Sequence, residues 1–196
     1  TIKLLKVRGN AMKNAVPSGE GGMVAVLGAE VENVNQIINN NDFECYVAND
    51  NSIGQIVVSG KNKDLELFSN ELKASNIKNI KLPVSAPFHC KLMKQATEIM
   101  NKEIQNVEFL MPKNYIISNV TTNPTNDPSE IKNLLIQQIE KPVRWRESII
   151  NMINNDVDHF IEIGPGKVLS GLIKRINKSV KIDTINSQED IENLKI

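Results

Sequence analysis

Residues 22–84 switch repeatedly between two kinds of apolar spacing, and this switching is the strongest constraint on how the chain can fold. Short apolar runs bounded by turn residues are typical of β-strands, whereas apolar residues three and four positions apart are typical of amphipathic helices. The predicted elements, in chain order, are a strand at 23–27, a helix at 30–39, strands at 44–49 and 55–59, a helix at 63–74 and a strand at 77–84.

This βαββαβ order predicts a ferredoxin-like subdomain, which is the supersecondary motif that has these elements in this order. Its two ends, near Gly22 and Ser85, would then lie close together, as expected of a unit inserted into another domain. We therefore predict an inserted subdomain at 22–84 and a larger subdomain formed by residues 1–21 and 85–196.

The larger subdomain is predicted to alternate helices and strands. A helix is indicated over residues 1–16, where one face would carry Leu5, Arg8, Met12 and Ala15. Further helices are predicted at 91–105, 129–140, after Pro142, at 167–176 and near the C-terminus, with strands at 115–120, 160–163 and 180–185. Such alternation is typical of an α/β protein with a parallel, covered sheet. Because no strand precedes the first helix, this sheet is expected to be incomplete.

Composition and charge exclude several classes of function. Lys+Arg and Asp+Glu balance at 23 each and aromatic residues make up only 4%, so neither nucleic acid nor an anionic membrane is an expected partner. No apolar run approaches the roughly 18 residues of a membrane span. The two cysteines, Cys45 and Cys90, form neither a disulfide framework nor a zinc motif, which favours a reducing, cytoplasmic location. No metal site or cofactor is predicted.

His89 is the sharpest candidate for chemistry, since His89 and His159 are the two imidazoles that could transfer protons near neutral pH. His89 lies between a predicted strand and a helix, where α/β sheets place functional groups. An ordinary loop histidine bonded to the backbone is the alternative. His159 opens a strand and is expected to be structural or exposed. A nucleophilic pair of Cys90 with His89 is not favoured, because side chains of sequence neighbours diverge.

Gln138 becomes a candidate through Pro142. The backbone carbonyl of Gln138 would normally accept from the N–H of residue 142, but proline has no N–H. A free carbonyl near a helix C-terminus carries partial negative charge and can accept Nδ1–H of a histidine, which would fix the tautomer of that ring. The alternative is that the carbonyl bonds water.

Arg8 is predicted on the apolar face of the first helix, where an unpaired guanidinium would be costly to bury. It would pair with a structural carboxylate, extend to the surface, or grip a substrate carboxylate through two hydrogen bonds. The Gly164-Pro165-Gly166-Lys167 turn matches no phosphate-binding fingerprint and is interpreted as a tight strand–helix connection. No GxSxG nucleophile elbow occurs in the sequence.

Several motifs together resemble the malonyl-CoA:acyl carrier protein transacylase family and the related acyltransferase domains of polyketide and fatty-acid synthases. They are Arg8-Gly9 with Met12, Glu20-Gly21-Gly22-Met23, Asn51-Ser52-Ile53-Gly54-Gln55, Pro87-Phe88-His89, Lys141-Pro142-Val143-Arg144-Trp145, and Glu162-Ile163-Gly164-Pro165-Gly166-Lys167. The resemblance implies a hydrolase-like parallel-sheet domain with an inserted ferredoxin-like subdomain. It also implies malonyl transfer from malonyl-CoA to acyl carrier protein in fatty-acid synthesis, by a serine and histidine ping-pong mechanism.

The same resemblance implies roles for individual residues. His89 matches the catalytic base, and Gln138 matches the residue whose carbonyl orients that base. Arg8 matches the arginine that pairs with the malonyl carboxylate, and Met12 and Asn51 match residues near the acyl pocket. Phe88 resembles the malonyl-selecting form of its position, where a bulky ring narrows the pocket against an α-methyl branch.

The serine elbow and a GQGSQ-type loop of the family lie upstream of the arginine helix, and neither occurs in this sequence. We therefore expect residues 1–196 alone to form no malonyl-serine intermediate and to be marginally stable, because strands that would cover the sheet are missing. Two alternatives stay open: an acyltransferase domain cut from a larger synthase, and a non-catalytic remnant that binds carrier protein.

Overall fold

The computed structural model describes residues 1–194. Its helices are α1 Ile2–Lys13, α2 Val31–Asn40, α3 Asn62–Ala74, α4 Lys94–Gln105, α5 Pro128–Gln137, α6 Trp145–Asn154, α7 Val168–Ile176 and α8 Gln188–Asn193, with a 3-10 turn at Lys91–Met93. Its strands are β1 Gly21–Leu27, β2 Cys45–Ser52, β3 Gln55–Lys61, β4 Lys78–Lys81, β5 Ile116–Ile117, β6 Pro124–Thr125, β7 His159–Ile163 and β8 Lys181–Ile185. Across residues 1–194, no helix combines the length and apolar character that crossing a bilayer requires.

The six elements predicted between residues 22 and 84 are confirmed as elements. They form a four-stranded antiparallel sheet in the order β2-β3-β1-β4. Helices α2 and α3 pack on one face of it, around a core that includes Val24, Val26, Val34, Ile38, Ile56, Val58, Leu65, Phe68 and Leu72. Strand β4 is shorter than predicted, because Pro83 has no N–H to continue the ladder with β1.

The predicted parallel sheet is reduced to one pair of strands in the described residues. Strands β7 and β8 pair in parallel from His159↔Lys181 to Ile163↔Ile185. The prediction of a strand over 115–120 was wrong. Only β5 forms there, and it pairs antiparallel with β6. The cause is a turn after β5: the Ser118 carbonyl accepts the Thr122 N–H at 2.7 Å, and its hydroxyl accepts the Val120 N–H at 3.2 Å.

The first helix is present, but its buried side differs from the predicted one. Helix α1 packs against α4 in a cluster with buried Ala11, Met12, Met93, Ala96, Met100, Ile104 and Ile139, and partly buried Leu4 and Val7, and α4 also contacts α5. Leu5 was predicted on this side but is 61% exposed. Leu135, an apolar residue of α5, is 46% exposed. Leu5 and Leu135 both line an open groove of about 400 Å³. The side of α1 that packs against α4 therefore lies next to the predicted side and does not include Leu5.

The segment after α5 joins the outer edge of the antiparallel sheet. The Val143 N–H donates to the Ala48 carbonyl at 2.8 Å, and the Asp50 N–H donates to the Val143 carbonyl at 2.9 Å. Arg146, in the first turn of α6, then holds the Asp50 carboxylate through Nε at 2.9 and 3.0 Å and through Nη2 at 2.8 Å. The two backbone hydrogen bonds of Val143 and the ion pair of Arg146 with Asp50 therefore attach the segment from Val143 to α6 to strand β2.

Replacing Asp50 by Asn is expected to destabilise the fold by about 2–3 kcal/mol, since the Asp50 side chain is only 8% exposed and Arg146 would lose its counter-ion. Urea unfolding of wild type and variant measures the difference. The matched control is Glu44→Gln, which removes the exposed pair with Lys61 and should cost less than about 1 kcal/mol. Equal losses in the two variants would contradict the anchoring role of Asp50.

Candidate active site

His89 lies in a short loop between β4 and the 3-10 turn, in an unusual backbone conformation. Its φ is 58°, in the left-handed region that residues with a Cβ enter at a cost in energy. The flanking side chains Ala86, Pro87 and Cys90 are buried. The Cys90 thiol donates to the Pro87 carbonyl at 3.1 Å, and the Phe88 N–H donates to the Ala86 carbonyl at 3.2 Å. Burial and these two bonds hold the histidine backbone in place.

The imidazole of His89 is bonded to the Gln138 carbonyl, which was predicted to be free because residue 142 is a proline. His89 Nδ1 lies 2.8 Å from the Gln138 carbonyl oxygen, 49 residues further along the chain. Because a carbonyl can only accept, Nδ1 carries the proton, and Nε2 of the neutral ring is left as an acceptor. The Gln138 side chain donates to the carbonyls of Lys141 and Pro142 at 2.9 and 3.2 Å, which closes the turn that presents its own carbonyl.

The surroundings of His89 favour its neutral form. Burial lowers the pKa of His89 and is the largest influence on it. The bond to Gln138 acts in the opposite direction, and the positive charge of Arg8 lowers the pKa further. A neutral ring with a protonated Nδ1 and a free Nε2 has the form that a general base needs.

Arg8 is available to bind an anion. It is partly buried on α1, and burial lowers the pKa of its guanidinium. Among residues 1–194 its side chain makes no ion pair and no hydrogen bond with another side chain, so the structural carboxylate considered above is absent there. Arg8 also lines the groove that contains Leu5 and Leu135. An anion entering this groove would be attracted by the guanidinium, which has no counter-ion among the described residues.

The three other candidates take different positions. Met12 is buried in the cluster of α1 and α4, and Phe88 packs against that cluster. Phe88 also contacts a second buried cluster, formed by Met23, Ala48 and Val57. The Phe88 ring therefore lies between the cluster of α1 and α4 and the antiparallel sheet.

Asn51 lies near the end of β2 and is partly buried. No hydrogen bond or ion pair within residues 1–194 joins its side chain to His89 or Arg8. The structure therefore brings His89 and Gln138 into direct contact and packs Phe88 against the cluster that contains Met12, but it shows no hydrogen bond between Asn51 and His89 or Arg8.

A wide groove opens at His89. It has a volume of about 970 Å³ and reaches from the histidine to the end of α2. Its wall carries basic and acidic side chains: Lys91, Lys94, Lys141 and Arg144, with Asp50, Glu140 and Glu147. Arg144 is paired with Glu147, and Asp50 with Arg146. The groove has room for a long ligand, and its three lysines are the groups that could bind negative charge.

The remaining sequence candidates have structural partners. His159 Nε2 is bonded to the Asp183 carboxylate at 2.7 Å across the β7–β8 pair. Burial raises the pKa of the Cys90 thiol, which argues against a nucleophilic role. The first amides of α7, at Leu169 and Ser170, donate to the Glu162 carboxylate at 3.0 and 2.7 Å, so this helix N-terminus is already capped.

Comparisons with known proteins identify the family. The chain matches the sequence profile described as acyl transferase domain over residues 1–195. The chain belongs to this acyl transferase family. The malonyl CoA-acyl carrier protein transacylase of Bacillus subtilis (strain 168) is 41% identical to it, with 97% of this chain and 62% of the relative covered.

Solved acyl transferase structures share the mixed α/β fold. The acyl-carrier-protein-S-malonyltransferase of Bartonella henselae is 42% identical, with a TM-score of 0.93 and coverage of 97% of this chain and 62% of that one. A malonyl-transacylase solved in complex with a type II polyketide synthase acyl-carrier protein is 31% identical, with a TM-score of 0.92 and coverage of 97% and 63%. The chain therefore spans less than two thirds of the length of these relatives.

The stability of this acyl transferase chain is expected to fall with acidification in a way that depends on His89. Burial lowers the His89 pKa from its ordinary value of 6.5, so the unfolded chain binds this proton at higher pH than the folded chain does. The stabilisation is therefore complete above about pH 6.5 and is lost as pH falls through the pKa of the folded state.

Urea unfolding at about pH 8 and about pH 5 tests this expectation, because the interval brackets the histidine titration. Wild type should lose more stability than His89→Gln, whose side chain stays neutral at both values. Equal losses would show that His89 titrates alike in the folded and unfolded states.

Proposed function

We propose that the chain is the greater part of a malonyl-CoA:acyl carrier protein transacylase, which moves a malonyl group from coenzyme A to the phosphopantetheine thiol of acyl carrier protein in fatty-acid synthesis. The hydrogen bond between His89 Nδ1 and the Gln138 carbonyl carries this proposal, because it prepares Nε2 as a base. Membership of the acyl transferase family supports it. The cytoplasmic location stays a prediction.

The proposed chemistry has two matching half-reactions. In the first, Nε2 of His89 takes the proton of a serine hydroxyl while the serine oxygen attacks the malonyl thioester carbonyl. The thiolate of coenzyme A leaves and takes the proton back from Nε2, so the ring is neutral again and malonyl is esterified to the serine. In the second, the carrier-protein thiol loses its proton to Nε2 and attacks the ester, and the serine oxygen recovers that proton.

The serine that this mechanism needs is not among the residues that the site brings together, and no GxSxG elbow occurs in the sequence. We propose that the nucleophile and the oxyanion donors belong to a part of the protein outside these 196 residues. Residues 1–196 alone would then bind acyl donors without forming an acyl-serine. The coverage of 62% of the Bacillus subtilis relative supports this reading.

The substrate-binding roles follow from charge and shape. Arg8 has a partly buried guanidinium and no ion-pair partner among residues 1–194, and we assign it to the malonyl carboxylate. Phe88 and Met12 would bound the acyl pocket, since both belong to or pack against the same apolar cluster. Asn51 is assigned to the pocket through its motif alone. The lysines in the wall of the groove at His89 would bind the phosphate groups of coenzyme A and phosphopantetheine.

The domain organisation belongs to the same proposal. Residues 22–84 would be an inserted ferredoxin-like subdomain, and residues 1–21 with 85–196 would be part of a hydrolase-like α/β domain. The strand order β2-β3-β1-β4 supports the first assignment, and the parallel β7–β8 pair supports the second. On this reading, the site lies where the two subdomains meet.

A carrier-binding protein without catalytic activity is the second candidate. The solved complex of a relative with a polyketide synthase acyl-carrier protein favours a carrier-binding surface in this family. Loss of carrier binding in a lysine variant of the groove, without any malonyl transfer by the complete protein, would support this candidate over the enzyme.

In the complete polypeptide, His89→Ala is expected to lower the rate of malonyl transfer to acyl carrier protein by about 100- to 10,000-fold, which is the usual contribution of a general base. Transfer of radiolabelled malonyl from malonyl-CoA to carrier protein measures the rate. The control is His159→Ala, because His159 is bonded to Asp183 and lines neither the groove at His89 nor the groove at Arg8, and it should keep near wild-type activity. Wild-type rates in His89→Ala would exclude His89 as the base.

Arg8→Ala is expected to lower kcat/KM for malonyl-CoA by about 10- to 100-fold, the loss of one charged hydrogen-bond pair, and to change kcat/KM for acetyl-CoA little. Steady-state assays with the two donors separate these effects. Arg175→Ala is the matched control, since Arg175 is exposed and donates to the Gln55 side chain. A uniform loss with both donors would assign Arg8 to the fold instead of the carboxylate.

A further inference from the structure

Gly21 lies unusually close to the loop that carries His89. It is the first residue of β1 and is paired with Lys61 of β3. A Cβ added at Gly21 would lie 2.5 Å from Cδ and 2.6 Å from Cγ of Pro87. Non-bonded carbon atoms do not approach so closely, and a close-packed interior leaves no free volume into which the Pro87 ring could move. The Pro87 ring therefore occupies the space where any other side chain at position 21 would begin.

The reason for glycine at this position is space and not backbone conformation. Gly21 is outside the left-handed region, unlike Gly54 and Gly164, whose φ values are 68° and 139°. Its neighbour Gly22 also lacks room for a Cβ, but there the obstacle is the Asn62 side chain of α3, at 2.5 Å. The two glycines thus face different parts of the structure.

The contact between Gly21 and Pro87 lies close to His89 along the chain, in a segment with little conformational freedom. Pro87 is fully buried and its ring fixes φ, and it precedes His89 by two residues. Its carbonyl accepts the Cys90 thiol, so the loop is tied on both sides of His89. On the opposite side, the ring of His89 meets the Gln138 carbonyl at 2.8 Å. A displacement of about 1 Å along this path would break that hydrogen bond.

We propose that Gly21 is a positioning residue for His89. The absence of a side chain at position 21 lets Pro87 pack against the start of β1, and this packing sets the depth at which His89 reaches the Gln138 carbonyl. Gly21 thereby keeps the proton on Nδ1 and leaves Nε2 free. The consequence for catalysis rests on the proposed function, whereas the effect on the ring does not.

The tautomer of His89 is the measurement that separates positioning from general stability. In the complete protein labelled with ¹⁵N-histidine, wild type is expected to show the Nδ1–H form at neutral pH. Gly21→Ala is expected to shift His89 to the Nε2–H form that a free imidazole favours. Gly22→Ala, in the same strand, is the matched control. Its added methyl group would collide with the Asn62 side chain and would not meet Pro87, so the His89 signals should stay unchanged.

A double variant provides the reciprocal test. Pro87→Ala removes the ring carbons Cγ and Cδ and leaves a gap beside Gly21, so it should also weaken the Nδ1–H preference. In Gly21→Ala/Pro87→Ala the new methyl group enters that gap and meets only the Cβ that remains at position 87, at 3.2 Å, so the preference should recover beyond either single variant. If Gly21→Ala alone does not fold, the comparison of Pro87→Ala with the double variant still decides the proposal, and absence of recovery overturns it.

The transfer assay gives an independent outcome. Gly21→Ala is expected to lower kcat about 100-fold with little change in KM, the size of effect that a misplacement of about 1 Å causes. A wild-type tautomer in Gly21→Ala, or an equal change in Gly22→Ala, would overturn the positioning role. Undiminished transfer by His89→Ala would overturn the proposed function alone, because the tautomer measurement does not depend on catalysis.

Discussion

Proline at position 142 leaves the Gln138 carbonyl without its helical donor, and the candidate site is built on that carbonyl. The same turn carries Val143, which pairs with β2 immediately afterwards through two backbone hydrogen bonds of 2.8 and 2.9 Å. The acceptor for His89 and the attachment to the sheet are thus only a few residues apart. Displacement of this turn would affect the ring of His89 and the β2 edge together.

The histidine side of the site depends on packing instead of regular secondary structure. The φ of 58° at His89 is unfavourable for a residue with a Cβ. Buried Ala86, Pro87 and Cys90 offset that cost, because the loop cannot relax without exposing them or breaking the thiol–carbonyl bond. Close packing therefore selects the position from which Nδ1 reaches its acceptor.

Burial acts on both titratable groups of the proposed site, His89 and Arg8. Burial lowers the pKa of His89 and of Arg8, and the charge of Arg8 adds to the effect on His89. An anion bound at Arg8 would reduce that repulsion and raise the basicity of the ring. Substrate binding and base strength are coupled in this way on the proposed mechanism.

Local sequence determined the elements and the chemistry that each residue type can perform. The apolar spacing of Val34 and Ile38 predicted α2, and Pro142 predicted a free acceptor at Gln138, because both arguments involve only neighbours along the chain. The sequence also marked His89 and Arg8 by residue type and motif. Local pattern alone could not show that His89 and Gln138 meet, since 49 residues separate them, and only the family resemblance implied it.

The tertiary structure decided which partners these groups have. It placed Leu5 and Leu135 on an exposed groove, replaced most of the 115–120 strand by a turn, and joined Val143 to β2. It also brought the Pro87 ring against Gly21, a contact that no local pattern indicates. Periodicity depends on the covalent neighbours of a residue, whereas these outcomes depend on how distant segments share one close-packed space.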